Sequence, residues 1–293
     1  ERYAGKDLFV VGEYWSSDLH TLHGRLDRMG PRSWGLDVPL RARQASIEEA
    51  ARNTRLSKTS DYGSGCSADG NLIIEASIFD ALVAQLQKEG GYLASPAEKE
   101  LLRKAMWDDE RHRTASTVAI APQQLAQIAG FEIPADRKFI MVHGDGIGKE
   151  HHFSSEKLTT LLALYKYQGF DQALDMMRAV YEVGGKGHSC GIYSFDADHI
   201  HRLGLAAPVS RIMVRQPQSK ANAGAFNNGM PMTSSLGCGT WGGNIISENV
   251  NLKHYLNTTW VSVPIKEDKP SDEELFGPFY DAALEAEVET ITT

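Results

Sequence analysis

The chain has 293 residues, 42% hydrophobic and 23% charged, with a formal net charge of −8. This composition fits a globular protein with a substantial core and excludes the basic footprint of a nucleic-acid binder. No apolar run reaches the ~18 residues a membrane helix needs, and ERYAGKDLFVV lacks the basic-then-apolar form of a signal peptide.

Three cysteines, an odd number, do not read as a disulfide framework; they point to a reducing cytoplasm and at least one free thiol. The length suggests two domains, or one with an added arm. Early in the chain, DLFVVGEYW reads as a strand and its turn; Pro31, Trp34 and Pro39 then interrupt any periodicity. SIEEAARNTRLSK reads as a helix with Ser46 as N-cap and Glu49 at the capping-box position. NLIIEAS is a short strand. SIFDALVAQLQKEGG is an amphipathic helix with Ile78, Leu82, Val83 and Leu86 on one face, stopped by Gly90 and Gly91. SPAEKELLRKAMW is a helix capped by Ser95, with Pro96 at its first position and Glu98 completing a capping box. PQQLAQIAG is a short helix ending at Gly130.

From there strands and helices alternate: KFIMVHG and LLALYKY as strands, FDQALDMMRAVYEVGG as a helix, SCGIYSF as a strand, DADHIHRLGLAA as a helix and SRIMVRQ as a strand. This pattern predicts an α/β layer with a mainly parallel sheet. A Gly-rich segment follows, then HYLNTTWVSVPI as a terminal strand and an acidic, loosely attached helical tail.

Four segments carry candidate chemistry. In SDYGSGCSADGN, Cys66 stands among small residues that leave room for a tetrahedral adduct; if it opens a helical turn, backbone N–H groups would lower its pKa and cradle an oxyanion. The bland alternative is a small buried hydrophobe. In FSSEKL, Glu156 and Lys157 could bind a ribose hydroxyl or form a solvated capping pair. In GGKGHSCG, His188 is a proton shuttle or a structural histidine, and Cys190, two residues on, shares its strand face. SLGCGTWGGN is either a structural glycine-rich turn or a phosphate loop, although no Lys-Ser/Thr follows and the Walker pattern is absent. His143, His151, His152 and Glu150 match no metal-site spacing, so no metal is expected. Nor do His199 and His201, two apart on a helix, share a face.

Taken in order, SKTSDYGSGCSADGN, EGGYL, FSSEKLTTLLALYKYQGFDQAL, GKGHSCGIYS and SLGCGTWGGNIISENVNLKHYLNTTWVS resemble the acylating, CoA-dependent branch of the aldehyde dehydrogenase superfamily, from roughly Ser46 to Glu274. PIKEDKPSDEELFG looks most like the sulfoacetaldehyde dehydrogenases. The resemblance implies an aldehyde dehydrogenase-like catalytic domain with a mainly parallel sheet, a remnant of a Rossmann domain, and a C-terminal oligomerisation strand near Asn257 to Ile265. It implies domains at residues 1–59, 60–243 and 244–293, in that order remnant, catalytic domain and bridging tail. Cys66 falls on the nucleophile, Glu156 on the glutamate that holds the nicotinamide ribose, and His188 on a supporting histidine. NAD or NADP would be the cofactor, CoA the co-substrate, and a short aldehyde the substrate: sulfoacetaldehyde first, succinate semialdehyde or acetaldehyde as alternatives. Arg211 and Arg215 could attract an anionic tail, though surface positions are the simpler reading. Such enzymes carry ~100–200 residues of cofactor domain before the nucleophile. Here only the residues up to Gly65 precede it, without a glycine-rich dinucleotide turn, which reads as a truncation. The rival reading is therefore a non-catalytic subunit that pairs with other copies. The expected partners are the aldehyde, CoA and a second copy of the chain, with no nucleic acid and no membrane.

Overall fold

A computed structural model describes residues 37–279 and 281. The expected strand DLFVVGEYW lies outside the described residues, as do residues 282–293 of the acidic tail. The chain divides into two units, residues 1–251 and 252–293.

In the first unit, helix α1 (Asp37–Lys58) leads through a glycine-rich turn to β1 (Asn71–Glu75). Then come α2 (Phe79–Lys88), β2 (Gly91–Leu93), α3 (Pro96–Met106), α4 (Pro122–Ala129), β3 (Phe139–His143) and β4 (Leu161–Tyr167). The four strands form one parallel sheet in the order β1-β4-β3-β2. Strands β3 and β4 are central and bury both faces. Ile140, Val142, Leu161, Ala163 and Tyr165 pack with α3 and α4 in one cluster. The intervening Phe139, Met141, Leu162 and Leu164 pack with α1 and α2 in another. The period-two alternation of side chains thus supplies both layers of a helix–sheet–helix sandwich. The expected α/β class and parallel sheet are present.

The unit continues through α5 (Phe170–Gly184), β5 (Cys190–Ile192), α6 (Ala197–Ala206), β6 (Ile212–Val214) and the short α7 (Gln218–Ala221). Strands β5 and β6 form a separate two-stranded parallel sheet. Its apolar side packs on Leu174, Met177, Leu203 and Ala207 of α5 and α6.

Several local expectations hold. The Ser95 hydroxyl accepts from Glu98 N, and the Glu98 carboxylate accepts from Ser95 N at 2.8 Å. Gly130 ends α4 at φ +92°, a left-handed position that glycine adopts without a Cβ penalty. The helix expected in DADHIHRLGLAA is α6, and Asp196 caps it by accepting from Asp198 N and His199 N.

Others need correction. Ser46 is not an N-cap: α1 runs back to Asp37. Pro39 falls in its first turn, where a missing N–H costs no intrahelical bond. Strand β2 was not expected; three residues are too few to show a period. HYLNTTWVSVPI is not a strand: in the second unit, Leu252–Tyr255 form a 3₁₀ turn, residues 256–270 have no regular structure, and a helix α8 spans Asp272–Phe276. A lone strand leaves its backbone donors and acceptors unpaired, so an alternating pattern makes a strand only beside a partner. No described helix is long and apolar enough to cross a membrane.

Candidate active site

Cys66 lies in the connection between α1 and β1. Asp61, Tyr62 and Gly63 all take positive φ, at 48°, 52° and 70°. A turn then closes by Ala68 N donating to Gly65 O at 2.9 Å. Cys66 does not open a helix, so the condition under which a helix dipole would act on the thiol is not met. Glycine is required at 63 on two counts. Its φ is left-handed, and a Cβ would stand 2.5 Å from Thr159 O, at the entry to β4. The backbone here is therefore pressed against the sheet's edge while Cys66 remains exposed. It is not a buried hydrophobe.

His188 comes from the loop between α5 and β5. Gly185 ends α5 at φ +94°, and Gly187, buried at φ +106°, passes against Cys238. The two halves of the unit are tied by Ser219 N donating to Ser57 Oγ at 3.0 Å and Ser219 Oγ donating to Ser57 O at 3.1 Å. The result is that His188 Nε2 stands 3.0 Å from Cys66 Sγ, across 122 residues of sequence. His188 Nδ1 stands 2.7 Å from Ser189 Oγ. With Nδ1–H donated to that hydroxyl, Nε2 is the lone-pair nitrogen and accepts from the thiol. Burial, reinforced by the Arg211 charge, holds the His188 pKa below its ordinary value. The imidazole is thus neutral and able to take a proton. Cys190 does not join the pair. It packs on the α5–α6 cluster, and burial raises its pKa.

Glu156 is exposed on the segment before β4. Its neighbour Lys157 is not solvated, contrary to expectation. It is 1% exposed and donates to Asn71 Oδ1 at 2.9 Å and Ser155 O at 2.8 Å. Burial, with the nearby charges of Lys58 and Arg113, holds its pKa well below the ordinary lysine value. Lys58 is equally buried, its pKa lowered to about 7 chiefly by desolvation. Asp69, raised to about 6 by burial, leaves Oδ2 without a hydrogen bond.

Arg211 is also not where charge alone would put it. It is 5% exposed and donates to Asn249 Oδ1, His188 O and Gly237 O. All three of its nitrogens already donate within the fold, and its burial leaves it poorly placed to meet an anionic substrate tail. Arg215 donates to Ser194 O at 2.8 Å and lies over the Phe195 ring.

Every site segment enters a strand from its N-terminal end: Cys66 before β1, Glu156 before β4, His188 before β5. The opposite edge, where parallel sheets usually bind ligands, carries a cleft of about 260 Å³ lined by Lys99, Arg103, Asp145 and His152 among others. Its cations are matched there by acidic partners, Lys99 by Asp145 and Arg103 by Glu100. Around it, His151 faces Glu150 and His152 meets the Trp107 ring edge-on, while His143 stacks on Phe79. His199 stacks on Phe170.

No family model matches the chain. A sulfoacetaldehyde dehydrogenase of an Acholeplasma species is 36% identical over 249 residues, 84% of this chain and 51% of that protein. The succinate-semialdehyde dehydrogenase (acetylating) of Clostridium kluyveri is 33% identical over 231 residues, covering 78% of this chain and 51% of the relative. In structure, an acetylating aldehyde dehydrogenase from Geobacillus thermoglucosidasius superposes with a TM-score of 0.72 at 34% identity, covering 77% of this chain and 49% of the other. The chain belongs to the acylating aldehyde dehydrogenase family. It spans about half the length of the curated relatives it matches.

Two features of this acylating aldehyde dehydrogenase segment were not legible in its sequence. Buried Lys58 sits in the same motif as Cys66, but a lysine at a helix end reads as solvated. The role of Arg211 in holding His188 had no local signal, because its three acceptors come from residues 188, 237 and 249.

Proposed function

We propose that this chain carries the acyl-transfer centre of a CoA-dependent aldehyde dehydrogenase, with Cys66 as nucleophile, His188 as its proton partner and Glu156 as a contact for the nicotinamide ribose. The observation that carries the reading is the 3.0 Å approach of a neutral His188 Nε2 to an exposed Cys66 Sγ. In the forward direction His188 takes the thiol proton, and the Cys66 sulfur attacks the aldehyde carbon. A C–S bond forms, and the carbonyl π pair moves to oxygen, giving a thiohemiacetal. Loss of hydride from that carbon leaves a thioester on Cys66. The CoA thiol, its proton released to solvent, then attacks the thioester; the Cys66–acyl bond breaks, and the Cys66 sulfur regains from His188 the proton given up at the start. NAD or NADP supplies the hydride acceptor when bound. The free, exposed carboxylate of Glu156 suits one ribose hydroxyl and leaves NAD and NADP equally open.

Sulfoacetaldehyde is the favoured substrate because acylating sulfoacetaldehyde dehydrogenases stand among the relatives, for example that of Cupriavidus necator at 34% identity. Arg211 does not contribute to that preference, being spent on the fold. The three cysteines, all free, suit a reducing cytoplasm. Exposed Trp260, Val261, Val263 and Ile265 suit the edge-pairing role expected of a second copy.

The test is intact mass after incubation with acyl-CoA thioesters, which runs the last transfer in reverse and needs no nucleotide. A mass gain of one acyl group in the natural chain, absent in Cys66→Ala, is expected. A folded natural chain that gains no acyl group would overturn the reading and favour the non-catalytic subunit.

A further inference from the structure

We propose that Arg211 is the positioning residue of the Cys66–His188 pair: its guanidinium binds the backbone of His188 to the glycine-rich loop and to Asn249, and so aims Nε2 at the thiol. The inference rests on the reading of Cys66 and His188 given above.

The geometry is that of a three-way clamp. Nη1 donates to His188 O at 3.0 Å, Nη2 donates to Gly237 O, and Nε donates to Asn249 Oδ1 at 2.8 Å. The backbone of Arg211 joins the same assembly, because its carbonyl accepts from Cys190 N at 3.0 Å. Asn249 is itself 2% exposed and donates onward to Asn222 O at 2.9 Å and Pro231 O at 2.8 Å. Four segments distant in sequence therefore meet at one guanidinium. The fork geometry of arginine suits this; a lysine ammonium on a flexible stem reproduces the charge but not the planar set of donors.

The loop is also held on either side of His188, by the Gly187 bonds and by Ser189 O, which accepts from Tyr181 Oη at 2.6 Å. Gly187 and Gly185 flank the approach to His188 at positive φ. Gly187 N donates to Pro208 O, and Ser210 N donates to Gly187 O, but those bonds hold residue 187 and not 188. Arg211 is the contact on the His188 carbonyl itself.

Charge works in the same direction as position. The titratable or charged side chains whose fields meet at Arg211 are His188, Cys66 and Cys238. A fixed positive charge beside His188 disfavours the imidazolium. Losing Arg211 moves the state with a neutral His188 to higher pH.

The experiment measures the rate of Cys66 alkylation by iodoacetamide from pH 5 to 9 in the full chain, located by peptide mapping to separate it from Cys190 and Cys238. It compares the natural chain with Arg211→Met, Arg211→Lys and Asn249→Ala. Circular dichroism verifies the fold of each. Arg211→Met is expected to shift the acid limb upward by about one unit, which slows alkylation about tenfold on the acid side of the limb. Arg211→Lys, keeping charge without the fork, is expected to restore part of the limb position but not the natural rate. Asn249→Ala is expected to give a smaller slowing with the limb in place. Folded Arg211 variants with the natural profile would overturn the proposal. If neither Arg211 variant folds, a natural alkylation rate in Asn249→Ala overturns it instead, and a slowing supports it. Because alkylation requires neither CoA nor nucleotide, a chain that fails to take an acyl group still reports on the clamp. Failure of the proposed function and failure of this inference are therefore told apart.

Discussion

Cys66 and His188 could each be singled out in the sequence, because small neighbours and a helix-ending Gly-Gly pair have local meanings. Their 3.0 Å approach could not, since it depends on a contact across 122 residues. Replacing His188 with Gln keeps a polar side chain but removes the base. The rate of acyl transfer to Cys66 is expected to fall about 100-fold, the low end for general acid–base catalysis, as measured by quenched-flow mass spectrometry. A second residue-scale test concerns Lys58, whose folded pKa is about 7 against 10.5 for an ordinary lysine. Between those values the unfolded chain binds more protons at this position than the folded chain, so its contribution to stability improves as pH rises from about 7 to 10.5. Below pH 7 the buried ammonium is charged in both states and its desolvation cost is at its full value. Lys58→Met is therefore expected to raise Tm at pH 6 by more than at pH 9 in calorimetric scans. An equal shift at both pH values would show that Lys58 is solvated.

At the scale of elements, the readable ones carry their own punctuation. Helix α3 has Ser95, Pro96 and Glu98 at its start, and each does what its chemistry suggests. Helix α4 has its glycine at the end. The start of α1 was misplaced because Ser46 and Glu49 mimic a capping box inside a helix that tolerates Pro39 in its first turn. The connection carrying Cys66 is defined differently, by a close approach that leaves no local periodicity. Gly63→Ala tests it. The left-handed φ alone costs about 1–2 kcal/mol for a residue with a Cβ, and the 2.5 Å approach to Thr159 O adds to that. We expect a lower Tm together with loss of Cys66 acylation, against a smaller loss for Gly65→Ala, where an added Cβ meets nothing within 4 Å. Equal effects at the two glycines would show that contact with β4 does not shape the turn.

At the scale of the whole molecule, residues 256–270 expose Trp260, Val261, Val263 and Ile265 without regular structure. Their period-two spacing at 261, 263 and 265 is that of a strand face, and a second copy is the proposed partner. Val261→Glu with Val263→Glu is expected to reduce the mass seen by light scattering to that of a single chain, and unchanged mass would remove this segment from the interface. By itself, the sequence determined the α/β class and the helix boundaries that carry caps, and it pointed to Cys66 as the candidate nucleophile, because each is written in local periodicity or in a motif. Tertiary structure alone decided that Arg211 is buried with its donors on His188 O, Gly237 O and Asn249 Oδ1, that Lys58 and Lys157 are buried, and that HYLNTTWVSVPI does not form a strand within its own chain. The reason is common to all three: hydrogen-bond partners and desolvation are properties of segments that meet in space, and no window of sequence contains both sides of the contact.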